Sequence, residues 1–100
     1  MEYDKLVRDR IPEVIRESGK KFRYRVATED EYGEYLKAKL LEEAQEFFED
    51  PCEKELADIF EVIDALSRVY KLQGAYAAQI CKRIDRGSFD MGFILEWVED

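Results

Sequence analysis

Apolar residues recur three and four apart over most of the chain, a spacing that predicts helices. The longest such stretch opens at "TEDE", residues 28–31, which has the form of a capping box with Thr28 as N-cap and Glu31 at the third helical position. The spacing carries that helix to Glu49, where "EDPC" breaks it with Pro51 just past the end. A second long helix is predicted from about Glu53 to Leu72, and "QGAY" then marks a turn. A third runs from about Ala75 to Arg86, stopped by Gly87. Ahead of the box, "DRIPEVIRESGK" reads as a short helix, with Pro12 in its first turn and Gly19 ending it in a left-handed conformation.

The period changes twice. "KFRYRVA" alternates Phe22, Tyr24 and Val26 with Arg23 and Arg25, the pattern of a short strand. In the apolar tail "SFDMGFILEWVED", Phe93, Leu95 and Trp97 would continue a small strand, or "FILEWVE" would make a final helical turn. The expected fold is mainly α. It is a helical-bundle domain around a central antiparallel helix pair folded at Pro51, with one small β element from the N- and C-terminal regions.

The two long helices place their acids unevenly. Stepping 100° per residue from Glu55 at 0°, the apolar residues Leu56, Ile59, Phe60, Val62, Ile63, Leu66, Val69 and Tyr70 cover an arc from about 320° to about 140°. Glu55 lies inside it and Asp58 on its edge, Glu61 is borderline, and Asp64 points away. On the preceding helix, Leu36, Leu40, Leu41, Ala44, Phe47 and Phe48 form the stripe. Glu43 borders it and Glu46 sits about 60° further round, while Glu42 and Glu49 face solvent. Folding at Pro51 sets Glu43 and Glu46 beside Glu55 and Asp58.

Four carboxylates at a helix seam repel, and an unpaired acid at a low-dielectric edge is costly unless protonated or neutralised. Two routes are open. Lys39 and Lys54 would neutralise them as a salt-bridged seam, or a hard divalent cation would bind them. All-oxygen ligation favours Mg²⁺ or Mn²⁺. In a chain with 24 acids, acid–x–x–acid pairs arise by chance about six times, so the argument rests on two pairs facing each other across one turn.

Composition narrows the partners. One hundred residues make a single domain, 1–100, and a core this small favours oligomerisation. The net charge of −8 excludes duplex nucleic acid as a general partner. No apolar run approaches the ~18 residues of a membrane span, and the charged N-terminus lacks the apolar core of a signal peptide, so the expected location is the cytoplasm. Histidine is absent, which removes imidazole catalysis and His-based metal sites. Cys52 and Cys81 form no CxxC pair and read as two free thiols.

The pattern "EEAQE … ELAD", an ExxE followed by an ExxD on two helices, resembles the MazG-like all-α nucleoside triphosphate pyrophosphohydrolases. "YDKLVRDRIPEVI" and "RGSFDMGFILEWVE" are similar to a subgroup described as phosphoribosyl-ATP pyrophosphohydrolase-like, so the resemblance covers most of the chain. It implies Mg²⁺-dependent hydrolysis of a nucleoside triphosphate, or a related nucleotide, to the monophosphate and pyrophosphate. Carried over by position, Glu43, Glu46, Glu55 and Asp58 would be the catalytic carboxylates and metal ligands. The leaving pyrophosphate needs cationic donors, for which Lys5, Arg8, Lys82, Arg83 and Arg86 are candidates. Glu46 is the candidate proton acceptor for the attacking water. Tyr35, Phe47, Phe60, Tyr76 and Trp97 have faces on which a base would stack, but helical spacing assigns them to core or interface. The alternative function is a non-catalytic acidic helical module that binds a partner or a nucleotide.

Overall fold

The computed structural model describes residues 4–100, among which four helices form: α1 (Ile11–Glu17), α2 (Glu29–Glu49), α3 (Glu53–Val69) and α4 (Ala75–Arg86). Tyr3, which opens the quoted N-terminal segment, lies outside the described residues. The capping box closes as its residues predict. The Glu31 backbone N–H donates to Thr28 Oγ1 at 3.3 Å, and the Thr28 N–H donates to Glu31 Oε1 at 3.1 Å. Arg25 binds the same Glu31 oxygen, so the loop entering α2 is tied to its first turn. α1 carries Pro12 in its first turn and is followed by Gly19 at φ 81°, a left-handed position that suits glycine.

α3 stops three residues short of the predicted Leu72. Lys71 takes φ 57°, its N–H donates to Arg68 O at 3.4 Å, and the Leu72 N–H donates to Ser67 O at 2.9 Å. Those two bonds are a Schellman motif, here with lysine rather than glycine in the left-handed position. α4 ends at Gly87, with φ 87°, as the sequence predicts.

α2 and α3 are the helices that pack closely on each other, joined by residues 50–52. Leu36 and Val62 are the buried apolar side chains between them, and Gly33 lets Tyr70 approach α2. The two apolar arcs are covered on one side only. Leu41 and Phe48 on α2, and Leu56, Phe60 and Ile63 on α3, are exposed. A stripe that wide needs two packed helices, and among the described residues α2 and α3 pack closely only on each other.

The small β element does not form among the described residues. Phe22 and Tyr24 stack on each other with centroids 5.8 Å apart, and the Arg16 guanidinium lies 5.7 Å from the Phe22 ring. Their alternation makes a surface ring stack, with no backbone hydrogen bond to a second strand among the described residues. The tail after Gly87 is irregular, neither strand nor helix, and Phe89, Phe93 and Trp97 stand exposed in it. Tyr76, Ile80 and Ile84 make an exposed apolar row on α4. The radius of gyration is 18.3 Å, against about 13 Å for a closed 100-residue domain. No helix of the described residues is long and apolar enough to cross a membrane.

Two substitutions test this packing. A Cβ at Gly33 would sit 2.9 Å from Tyr70 Cζ, so Gly33→Ala is expected to destabilise the protein by about 1 kcal/mol in urea unfolding. In a Tyr70→Ala background the same change should instead stabilise, because only the helix propensity gain of about 1 kcal/mol remains. Lys71→Gly should raise the unfolding midpoint, by relief of roughly 1 kcal/mol of left-handed strain partly offset by unfolded-state entropy.

Candidate metal centre

The three-residue connection between α2 and α3 puts the last turns of one helix beside the first turns of the other. Within each helix, acids three apart share a face. Glu43 and Glu46 from α2, and Glu55 and Asp58 from α3, each offer one carboxylate oxygen within 4.8 Å of the other three. These are the four acids that the sequence places at the seam.

Their surroundings differ. Glu43 is 6% exposed, the one buried charged residue of the pair. Its Oε1 lies 3.3 Å from Lys39 Nζ, while its Oε2 is buried without a partner. Burial pushes its carboxyl above the usual range, Glu46 adds to the rise, and Lys39 opposes it. Glu55 Oε2 is likewise buried and unpartnered. Glu46 is exposed. Asp58 accepts a hydrogen bond from Arg8 Nη2 at 2.7 Å.

Two buried carboxylate oxygens without partners are costly, because an unmet charged acceptor retains its full desolvation penalty. Lys39 answers one oxygen of Glu43 and leaves these two unmet. A cation among the four acids would offset the charge of both residues, and an all-oxygen set fits Mg²⁺ or Mn²⁺. Asp50, Cys52 and Glu55 also converge. That second group shares Glu55 with the first, and its thiol already lies 3.8 Å from Asp50 Oδ2. The four-carboxylate group is the better fit. Both cysteines are free thiols, as expected.

A cavity of about 410 Å³ adjoins the acids, walled by the α2–α3 seam and by residues 6–10. Glu43, Asp58, Arg8 and Lys39 line it alongside Tyr32 and Val62. Of the five basic candidates, the structure brings Arg8 and Lys5 to this region. Lys5 Nζ pairs with Glu42 Oε1 at 3.0 Å and lines a smaller adjoining cavity. Lys82, Arg83 and Arg86 sit exposed on α4 and line neither.

Glu42 corrects the helical wheel, which turns it to solvent. It is half-buried between Lys5 and Lys39, because residues 4–10 cross that face and a wheel holds no information about a crossing segment. Lys5 chiefly holds its carboxyl below the usual range. Sequence reasoning also passed over Arg68 and Tyr32, which line the main cavity. Arg68 had a signal, since it lies within about 20° of Glu61 on the wheel. Glu61 lines the same cavity, and Asp64 accepts a hydrogen bond from Tyr76 at 3.5 Å. Comparison of the chain with protein-family models, curated proteins and solved structures returned no match.

The raised carboxyl of Glu43 has a definite sign in stability. A folded-state value above the unfolded one means the folded protein binds more protons, so stability falls as pH rises through that window. Glu43→Gln should therefore gain on the wild type as pH goes from about 4 to 7 in chelator, measured by urea unfolding. Glu42→Gln should do the opposite over the acid range, because Glu42 is stabilised as a carboxylate.

Proposed function

We propose that the protein is a Mg²⁺-dependent nucleotide pyrophosphohydrolase, with Mn²⁺ as an acceptable substitute. It would cleave a nucleoside triphosphate or related nucleotide to the monophosphate and pyrophosphate, in the manner of the MazG-like enzymes its motifs resemble. The observation that carries this reading is the pair of orphaned, buried carboxylate oxygens on Glu43 and Glu55. They belong to a four-acid group beside a cavity with basic side chains.

Each residue has a role in that reaction. Glu43, Glu46, Glu55 and Asp58 would hold the ion. The bound ion supplies charge neutralisation of phosphate oxygens and a more acidic water. Arg8 and Lys5 lie where they would meet phosphate oxygens and stabilise the charge left on pyrophosphate. Glu46, the exposed acid of the four, takes the proton as the water oxygen bonds to phosphorus and the anhydride P–O bond breaks. Lys82, Arg83 and Arg86 would contribute only if α4 of another subunit met this site. The open apolar faces on α3, α4 and the tail support a homodimer or homotetramer. The reading carries a cytoplasmic location with it.

The same exposed apolar surface favours the second reading, a non-catalytic helical module whose acids serve partner choice. Pyrophosphate release across a panel of nucleotides with Mg²⁺, together with melting temperature, separates the two. For the enzyme, ion at ~100 times its Kd adds about 2.7 kcal/mol, a rise on the order of 10 °C for a domain of this size. Glu55→Gln should remove that rise and lower pyrophosphate release at least 100-fold with an unchanged circular dichroism spectrum. For the module, no nucleotide is cleaved, and Glu55→Gln raises the melting temperature equally with and without Mg²⁺.

A further inference from the structure

The segment 4–10, outside any helix, is held across the α2–α3 seam by charge. Asp4 accepts a hydrogen bond from Tyr35 at 3.2 Å, Lys5 reaches Glu42 on α2, and Arg8 reaches Asp58 on α3. Asp58 is thus claimed twice. It supplies an oxygen to the four-acid group and accepts the 2.7 Å bond from Arg8 Nη2. The guanidinium is half-exposed at 56%, so it can leave without opening the core. It also lines both cavities beside the acids.

We propose that Arg8 is the built-in competitor of the metal ion at Asp58, neutralising that carboxylate until the ion arrives and then turning to the anionic substrate. This rests on the metal-centre reading above and adds an order of events to it. A divalent ion among the four acids would place like charges a few ångströms apart, which weakens the Arg8–Asp58 bond. Coupling is reciprocal, so the arginine must weaken the ion to the same degree. Once displaced, Arg8 remains at the cavity wall as an unspent bidentate donor, the geometry that suits a phosphate group. The phosphate-binding form of Arg8 thereby depends on the ion, and cation binding precedes productive nucleotide binding. Lys39 does not act in this way. It reaches Glu43 from four residues earlier on the same helix and stays beside it.

The test is Mn²⁺ binding to the 100-residue chain, by calorimetry or by the loss of free-ion paramagnetic resonance, without nucleotide. Arg8→Gln should tighten Mn²⁺ by about 5- to 150-fold, the usual span of coupling between sites. Arg8→Lys, which keeps the charge, should stay closer to the wild type than to Arg8→Gln. Arg10→Gln removes the same charge from a residue paired with Glu13 at 3.3 Å, and it measures the general effect of lost positive charge. An Arg8→Gln affinity equal to that of the wild type or of Arg10→Gln overturns the competition while leaving the metal centre intact. Binding by neither the wild type nor Arg8→Gln overturns both. Urea unfolding in chelator confirms that each variant is folded. If Arg8→Gln does not fold, Arg8→Met, which keeps the apolar stem, is compared with Arg10→Met by the same criterion. Tighter Mn²⁺ binding by Arg8→Met than by Arg10→Met supports the competition, and equal affinities overturn it.

Discussion

Mutual repulsion among four carboxylates at one helix seam is the constraint around which the rest is arranged. Two helices that carry acids at this spacing do not approach each other unless something offsets the charge. The chain offsets part of it with its own bases, Lys39 from within α2 and Arg8 from the N-terminal segment. Neither reaches Glu43 Oε2 or Glu55 Oε2. Protein side chains therefore bring the seam partway to neutrality and leave two buried oxygens unmet, and this is the feature on which the proposed metal site rests.

The hydrophobic side of the structure is as incomplete as the polar side. Leu36 and Val62 are buried in the single chain, while whole rows on α3, α4 and the tail face outward. Association of subunits, part of the proposed function, would add burial there and would carry the basic end of α4 to another subunit's surface. The elongated shape and the dispersed basic residues are two views of that one shortage of internal contact.

What the sequence made legible follows the range of the interactions involved. Capping at Thr28 and Glu31, the stop at Pro51 and the boundary at Gly87 are local, and they are where the residues predict. The four acids were legible because a rigid helix and a short connection convert spacing directly into position. The end of α3 was misread because lysine at residue 71 gives no hint of a left-handed conformation. The strand at residues 22–26 was misread because alternation shows which side chains share a face but not whether a second strand is present. Glu42 was assigned to solvent because its partner Lys5 is 37 residues away, beyond any periodic pattern. A separation of 50 residues likewise hid the bond between Arg8 and Asp58.

That separation has a kinetic meaning. The acids are gathered by a hairpin whose connection is three residues long, so their approach requires the closure of a very short loop. The bond from Arg8 to Asp58 closes a loop spanning 50 residues, and its entropic cost is met only after α2 and α3 are in place. During folding the carboxylates therefore meet before their arginine arrives. A nascent chain would pass through a stage in which the cluster is at its most negative, and dissolved cations would be its first counter-ions.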